Sequence, residues 1–273
     1  MCTGRLMLNI GFNPELFKIF GPLSVHIYGI FIALGVVAFI TLTLNHPVRK
    51  KYISGLLYER LLVFTILSAL AGARIVHIIS EWHSYHSMAE AFSLWNGGLS
   101  VLGGLLGGLI FIPIYLSFKA VPVLPILDLA ASYLPLTQAI ARLGCLFAGC
   151  CFGCQTAVAW GITYSHAGSH APLNAILHPT QLYSSLIFLA IFIFLQVLSR
   201  TVKLAPGQIT ALYLILSSLE RFMVDFFRGD RIINTAESLI STSYFSLHQW
   251  LSIGVMGIGI VLFIFTQRPT RAS

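Results

Sequence analysis

Charge is scarce in this chain. Asp, Glu, Lys and Arg make up only 9% of its 273 residues, and acidic residues number just 9, where an ordinary soluble domain has about a quarter of its residues charged. There is also no long polar block, no low-complexity tract and no internal repeat. These absences exclude a separate soluble domain and a repeat architecture. The first 25 residues lack an unbroken apolar run, because Gly11, Asn13, Pro14, Glu15, Lys18 and Pro22 interrupt them. No cleavable signal peptide is therefore expected, and the N-terminus reads as a short interfacial segment. The net charge of +7 comes from basic residues dispersed between apolar segments. A nucleic-acid partner, which needs one basic patch, is excluded.

What the chain does have is 57% hydrophobic residues. About 20 mainly apolar residues cross a bilayer, and seven such segments lie near 24–44, 61–80, 98–118, 122–147, 181–199, 207–227 and 248–267. The expected fold is an all-α polytopic membrane protein, one domain over residues 1–273. The fourth segment carries Asp128, Pro135 and Arg142, which predicts a kink or a re-entrant end.

Orientation follows from Lys and Arg in the connecting loops. Nine fall on one side (Arg49, Lys50, Lys51, Arg60, Lys119, Arg200, Lys203, Arg268 and Arg271) and four on the other (Arg5, Lys18, Arg228 and Arg231). The richer side is cytoplasmic by this rule, so the N-terminus is outside, the C-terminus inside, and the loops at 81–97, 148–180 and 228–247 face outward.

Arg74, Arg142, Arg221, Asp128, Glu220 and Asp225 fall within the apolar segments. A charge at the bilayer centre costs about 2.5–3.5 kcal/mol even on the mildest scale, so intramembrane ionisable residues mark structural ion pairs or functional sites. In "LERFMVDFFRGD", Arg221, Asp225 and Arg228 follow at spacings of four and three, on one helical face. Guanidinium forks match phosphate oxygens, and the carboxylate can orient one of them. A phospholipid headgroup is the anion such a site meets. The glycine-rich third segment serves helix packing, while Gly103 and Gly104 also offer backbone amides to a headgroup.

The stretch "ARLGCLFAGCCFGC" holds Cys145, Cys150, Cys151 and Cys154 beside Arg142. Four uses stay open: small apolar packing, a disulfide such as Cys145 or Cys150 with Cys154, a nucleophilic thiol activated by Arg142, and a metal site. The last is disfavoured because the "CxxC" has no second pair, and no metal or cofactor is assigned. If the helix continues, Cys150 and Cys151 diverge by about 100°.

These pieces, in order, resemble the prolipoprotein diacylglyceryl transferase family. "VHIYGIFIALG" resembles the family's opening motif with its functional tyrosine, here Tyr28; "GARIVHII" the arginine-bearing end of the second span; "NGGLSVLGGLLGG" its glycine-rich segment. "DLAASYLPLTQAIARLGCLFAGCCFG" resembles the family signature, with the essential arginine at Arg142 and Gly144 beside it. "HPTQLYSSL", with His178 and Gln181, resembles the start of span five, and "ERFMVDFFRGD" the motif of Arg221 and Asp225.

The resemblance implies a seven-span bacterial inner-membrane enzyme. Such an enzyme transfers the diacylglyceryl group of phosphatidylglycerol to the lipobox cysteine of a prolipoprotein and releases glycerol 1-phosphate. Arg142, Arg221 and Arg228 would hold the phosphate, Asp225 would orient Arg221, and Tyr28 would line the donor pocket. Leu102 stands where the family carries a histidine, Cys145 replaces its asparagine, Cys150 its glutamate, and Ser217 a tyrosine. Cys150 is thereby a catalytic candidate. A second reading is a lipid-binding or thiol-redox protein on the same scaffold.

Overall fold

The computed structural model describes residues 8–20, 23–82, 100–230 and 245–267. Its helices are α1 (Ile27–Leu44), α2 (Pro47–Tyr52), α3 (Gly55–Ser80), α4 (Val101–Phe118), α5 (Val123–Ala148), α6 (Thr180–Thr201), α7 (Gln208–Asp225) and α8 (Leu247–Gln267). Four short strands accompany them: β1 (Leu8–Ile10), β2 (Glu15–Phe20), β3 (Leu23–His26) and β4 (Ile162–Tyr164). Helices of 18 residues or more occupy all seven segments expected to cross a membrane. Five of these, α1, α3, α5, α6 and α8, are long and apolar enough to span by themselves; α7 carries Glu220, Arg221 and Asp225. The chain is an all-α polytopic membrane protein. In such a protein a helix is favoured because it satisfies its backbone groups internally where no water is available. The fourth segment forms one helix, α5, which continues past Pro135 to Ala148.

The chain divides into two compact units, Leu44–Leu127 and the remainder, Met1–Thr43 with Asp128–Ser273. In the smaller unit α3 packs against α4 through glycines. A Cβ on Gly103 would collide with the Gly72 carbonyl and lie 2.7 Å from Val76 Cβ. Small residues on both helices thus allow backbone contact. Tyr58, Leu61, Leu116, Val121 and Ile126 form its apolar core. Its basic loop is tied down by Arg49, whose guanidinium donates to the Leu44 carbonyl.

In the larger unit, polar side chains bond helix to helix. Ser185 Oγ donates to Ala139 O at 2.9 Å, Gln196 Nε2 to Ser132 O at 3.1 Å, and Tyr213 OH to Gln138 Oε1 at 3.2 Å. Asp128, one of the intramembrane charges, is a helix cap. Its carboxylate accepts from Gly207 N (2.6 Å), Thr210 N (2.8 Å) and Thr210 Oγ1 (2.6 Å). These are donors that the first turn of α7 leaves without intrahelical partners. The segment between α5 and α6 is mostly irregular, with β4 parallel to β1. Ile10, Leu146, Ile162, Tyr164, Ala171 and Leu177 bury it as a small core.

Candidate active site

The site is built where α5 ends. Gly149 follows Ala148 with φ of +73° and closes the helix, and Cys151 is also left-handed at +58°. Left-handed backbone costs a non-glycine residue about 1 kcal/mol or more and is maintained only when surroundings enforce it. Two residues of α6 do so: Gln181 Nε2 donates to Cys150 O (2.9 Å) and Thr180 Oγ1 to Cys151 O (2.7 Å). Gln181 also donates to Tyr164 OH at 3.3 Å, and that hydroxyl donates to Leu146 O at 2.9 Å.

Because the helix stops at Ala148, the divergence expected of Cys150 and Cys151 does not occur. The turn folds both back toward Cys145, and the three sulfurs lie within 4.8 Å of one another. Cys154 is exposed and outside this group, and all four are free thiols. Thiol hydrogen bonds from Cys145 and Cys150 outweigh burial and, with Arg228 and Arg142 nearby, hold the Cys151 thiol well below its ordinary range. Hydrogen bonding to Cys145 and Cys151, together with burial, pushes Cys150 up. Sequence position singles out Cys150, and the structure joins Cys145 and Cys151 to it in one group.

The cysteine turn also brings the arginines together. Gly153 bridges Arg228, Cys154 N donates to Phe227 O at 2.8 Å, and Gly229 N to Phe152 O at 2.9 Å. The segment after α7 is thereby held against the turn. Arg142 and Arg228 both lie within electrostatic reach of Arg221. Arg228 donates from Nε and Nη2 to Asp230 at 2.8 and 2.5 Å. Burial disfavours its charge, but Asp230 and then Cys151 hold its pKa above the ordinary value. Among the described residues Arg221 has only a 3.7 Å contact with Asp225, and its side chain is 24% exposed. Arg142 makes no hydrogen bond or ion pair among the described residues. Two guanidinium forks thus keep donors for an anion.

Tyr28 lies in the same electrostatic neighbourhood as Arg142 and the three cysteines. It lines a cavity of about 430 Å³ with Glu15, His26, Cys150 and His170. Gly144 sets that proximity, since a Cβ there would sit 2.8 Å from Phe31 Cβ and 3.3 Å from Tyr28 Cα. Its geometry is that of a helix contact. His178 Nδ1 lies 3.2 Å from Tyr183 OH, and its ring stands edge-on to Phe227.

Gly103 and Gly104 belong to the other unit. Their amides already engage Ser100, from Gly103 N to Oγ at 3.4 Å and Gly104 N to the carbonyl at 3.0 Å. This geometry supports packing. His83, His86, Gly97, Gly98, Arg231 and the side chain of Leu102 lie outside the described residues.

Glu220, which the sequence marks as an intramembrane charge without giving it a role, is 3% exposed, accepts from Ser184 Oγ at 2.5 Å and faces all three arginines electrostatically. Its position next to Arg221 inside an apolar segment is the available signal. Ser246 and His248 come from α8 and the residue before it. Ser246 donates to Asp225 Oδ2 at 2.5 Å, and His248 is within electrostatic reach of Arg221 and Arg228. Neither has a signal in sequence spacing.

Fold and site define a polytopic membrane protein with an arginine cluster beside a thiol-rich turn. The prolipoprotein diacylglyceryl transferase family model matches residues 14–265, and the chain belongs to that family. It is 32% identical over 251 residues to the phosphatidylglycerol–prolipoprotein diacylglyceryl transferase of Clostridium tetani, covering 92% of this chain and 96% of that one. It is 32% identical to phosphatidylglycerol–prolipoprotein diacylglyceryl transferase 2 of Clostridium perfringens (93% and 95% covered). The likeness to the phosphatidylglycerol–prolipoprotein diacylglyceryl transferase of Dehalococcoides mccartyi is 31%, with 98% of both chains covered.

Proposed function

We propose that the chain is a membrane transferase that moves the diacylglyceryl group of phosphatidylglycerol onto the lipobox cysteine thiol of a prolipoprotein. It would do so as a single membrane domain, at the outer face of the bacterial inner membrane. The observation that carries this reading is Arg142, a guanidinium with no hydrogen bond or ion pair among the described residues, beside Arg221, which among those residues has a 3.7 Å contact with Asp225. In the reaction the acceptor thiolate attacks the glyceryl carbon bearing the phosphate ester. The carbon–sulfur bond forms, the carbon–oxygen bond breaks, and the electron pair leaves on glycerol 1-phosphate.

Charge develops on the leaving phosphate, so donors already aimed there lower the barrier. Arg142 and Arg221 would hold it, with Arg228 supporting. Asp225, anchored by Ser246, would orient Arg221, and Tyr28 would line the donor cavity. Gln181 would keep the cysteine turn in place beneath them.

The test uses the purified chain in phosphatidylglycerol vesicles with a lipobox peptide. The peptide should gain the mass of a diacylglyceryl group, and the gene should restore growth to a strain depleted of its own transferase. An unmodified peptide together with failed rescue at normal expression would overturn the proposal.

A further inference from the structure

The sulfur cluster has no part in the phosphate chemistry above, and its geometry raises a separate question. Cys145, Cys150 and Cys151 come from the last turn of α5 and the loop beyond it, yet all three Sγ atoms lie within 4.8 Å of one another. A cation bound by thiolates at about 2.3 Å holds its sulfurs about 3.8–4.0 Å apart, so the observed spread needs only a small contraction. We infer that Cys145, Cys150 and Cys151 form a three-thiolate site for one thiophilic d10 cation, Cu(I) or Zn(II). This site differs from the "CxxC" pair of Cys151 and Cys154, because Cys154 is exposed and outside the sulfur group.

Four further observations support the assignment. The ligands are preorganised, since Gln181 and Thr180 hold the Cys150 and Cys151 carbonyls and two left-handed residues on either side of Cys150, Gly149 and Cys151, shape the turn. Hydrogen bonds of this kind behind a ligand set its orientation and affinity. The site is shielded, with Cys145 7% exposed and its partners half-buried. It is reachable, because Cys150 lines the cavity of about 430 Å³. Its charge is offset, because Arg142 and Arg228 act on the sulfurs and a three-thiolate complex of either ion is anionic. Binding exchanges thiol protons for the metal, with no change of oxidation state. Three soft ligands satisfy trigonal Cu(I) outright; Zn(II) would take a water from the cavity as its fourth ligand.

The experiment uses the full chain in detergent, with Cys2→Ser and Cys154→Ser as background, reduced and stripped by a chelator. It is then titrated separately with Cu(I) and Zn(II). One equivalent of at least one ion should bind, with X-ray absorption reporting three sulfur neighbours at about 2.3 Å. Cys145→Ser, Cys150→Ser and Cys151→Ser should each weaken binding at least about tenfold. Binding of one ion and not the other identifies which the site takes. Fewer than three sulfur neighbours for both ions would overturn the assignment in the unaltered cluster, whatever the variants do. So would a disulfide within the trio of protein taken from native membranes, or undiminished binding in all three serine variants.

Discussion

Asp225 lies one helical turn after Arg221, with Oδ1 3.7 Å from Nη2. It is 1% exposed, and Ser246 donates to its other oxygen at 2.5 Å. A buried carboxylate anchored on one side and facing a half-open guanidinium on the other sets a direction for that guanidinium without consuming its donors. Asp225→Asn keeps the shape and removes the charge. We expect kcat/KM for phosphatidylglycerol to fall at least about tenfold, equivalent to about 1.4 kcal/mol. Unchanged kinetics would confine Asp225 to a structural role.

Arg142→Lys and Arg221→Lys retain charge but lose the planar fork that matches two phosphate oxygens. Each should lower initial rates of lipid transfer at least about tenfold, or roughly 1.4 kcal/mol. Arg142→Lys is the cleaner test, because Arg142 has no protein hydrogen bond among the described residues to lose. Rates within twofold of wild type for both would rule out bidentate phosphate recognition.

Gly149→Ala should destabilise the protein by about 1–2 kcal/mol. The cost comes from φ of +73°, which L side chains disfavour, and from the Ser169 hydroxyl that its Cβ would meet. Gly257, in α8, has nothing within 4 Å of an added Cβ, so Gly257→Ala should leave the midpoint of thermal unfolding in detergent unchanged or raise it. Equal midpoints for the two variants would show that the turn does not depend on left-handed backbone at Gly149.

Single reporter cysteines in a background stripped of native ones test orientation. Membrane-impermeant maleimide added to intact cells should label position 167 but not positions 50 or 203. Labelling at 50 or 203 before membranes are opened would reverse the orientation read from the basic loops.

The seven long helices were legible in the sequence because a bilayer makes a local demand: enough consecutive apolar residues, each backbone group bonded within its own helix. Family membership and the arginines followed from local motifs for the same reason, and Arg221 and Asp225 share a face through helical spacing; Arg228 lies past the end of α7, so it is placed by its bridge to Gly153 and not by the expected helical face. Other roles needed a partner to be visible: the amides of Gly103 and Gly104 engage Ser100, and the intramembrane charge of Asp128 caps α7.

Helical spacing failed where the helix ended. Cys150 and Cys151 could be separated by a 100° rotation only if α5 continued; the left-handed turn at Gly149 and Cys151 instead directs both sulfurs at Cys145. That turn depends on hydrogen bonds from Thr180 and Gln181, about 30 residues later. The approach of Ser246 to Asp225 depends on helix packing across 21 residues. Sequence alone determined which groups the membrane domain carries and which lie one helical turn apart. Which arginines keep open donors and which cysteines share one cluster was decided by tertiary structure, because those relations rest on contacts between segments with no fixed spacing along the chain.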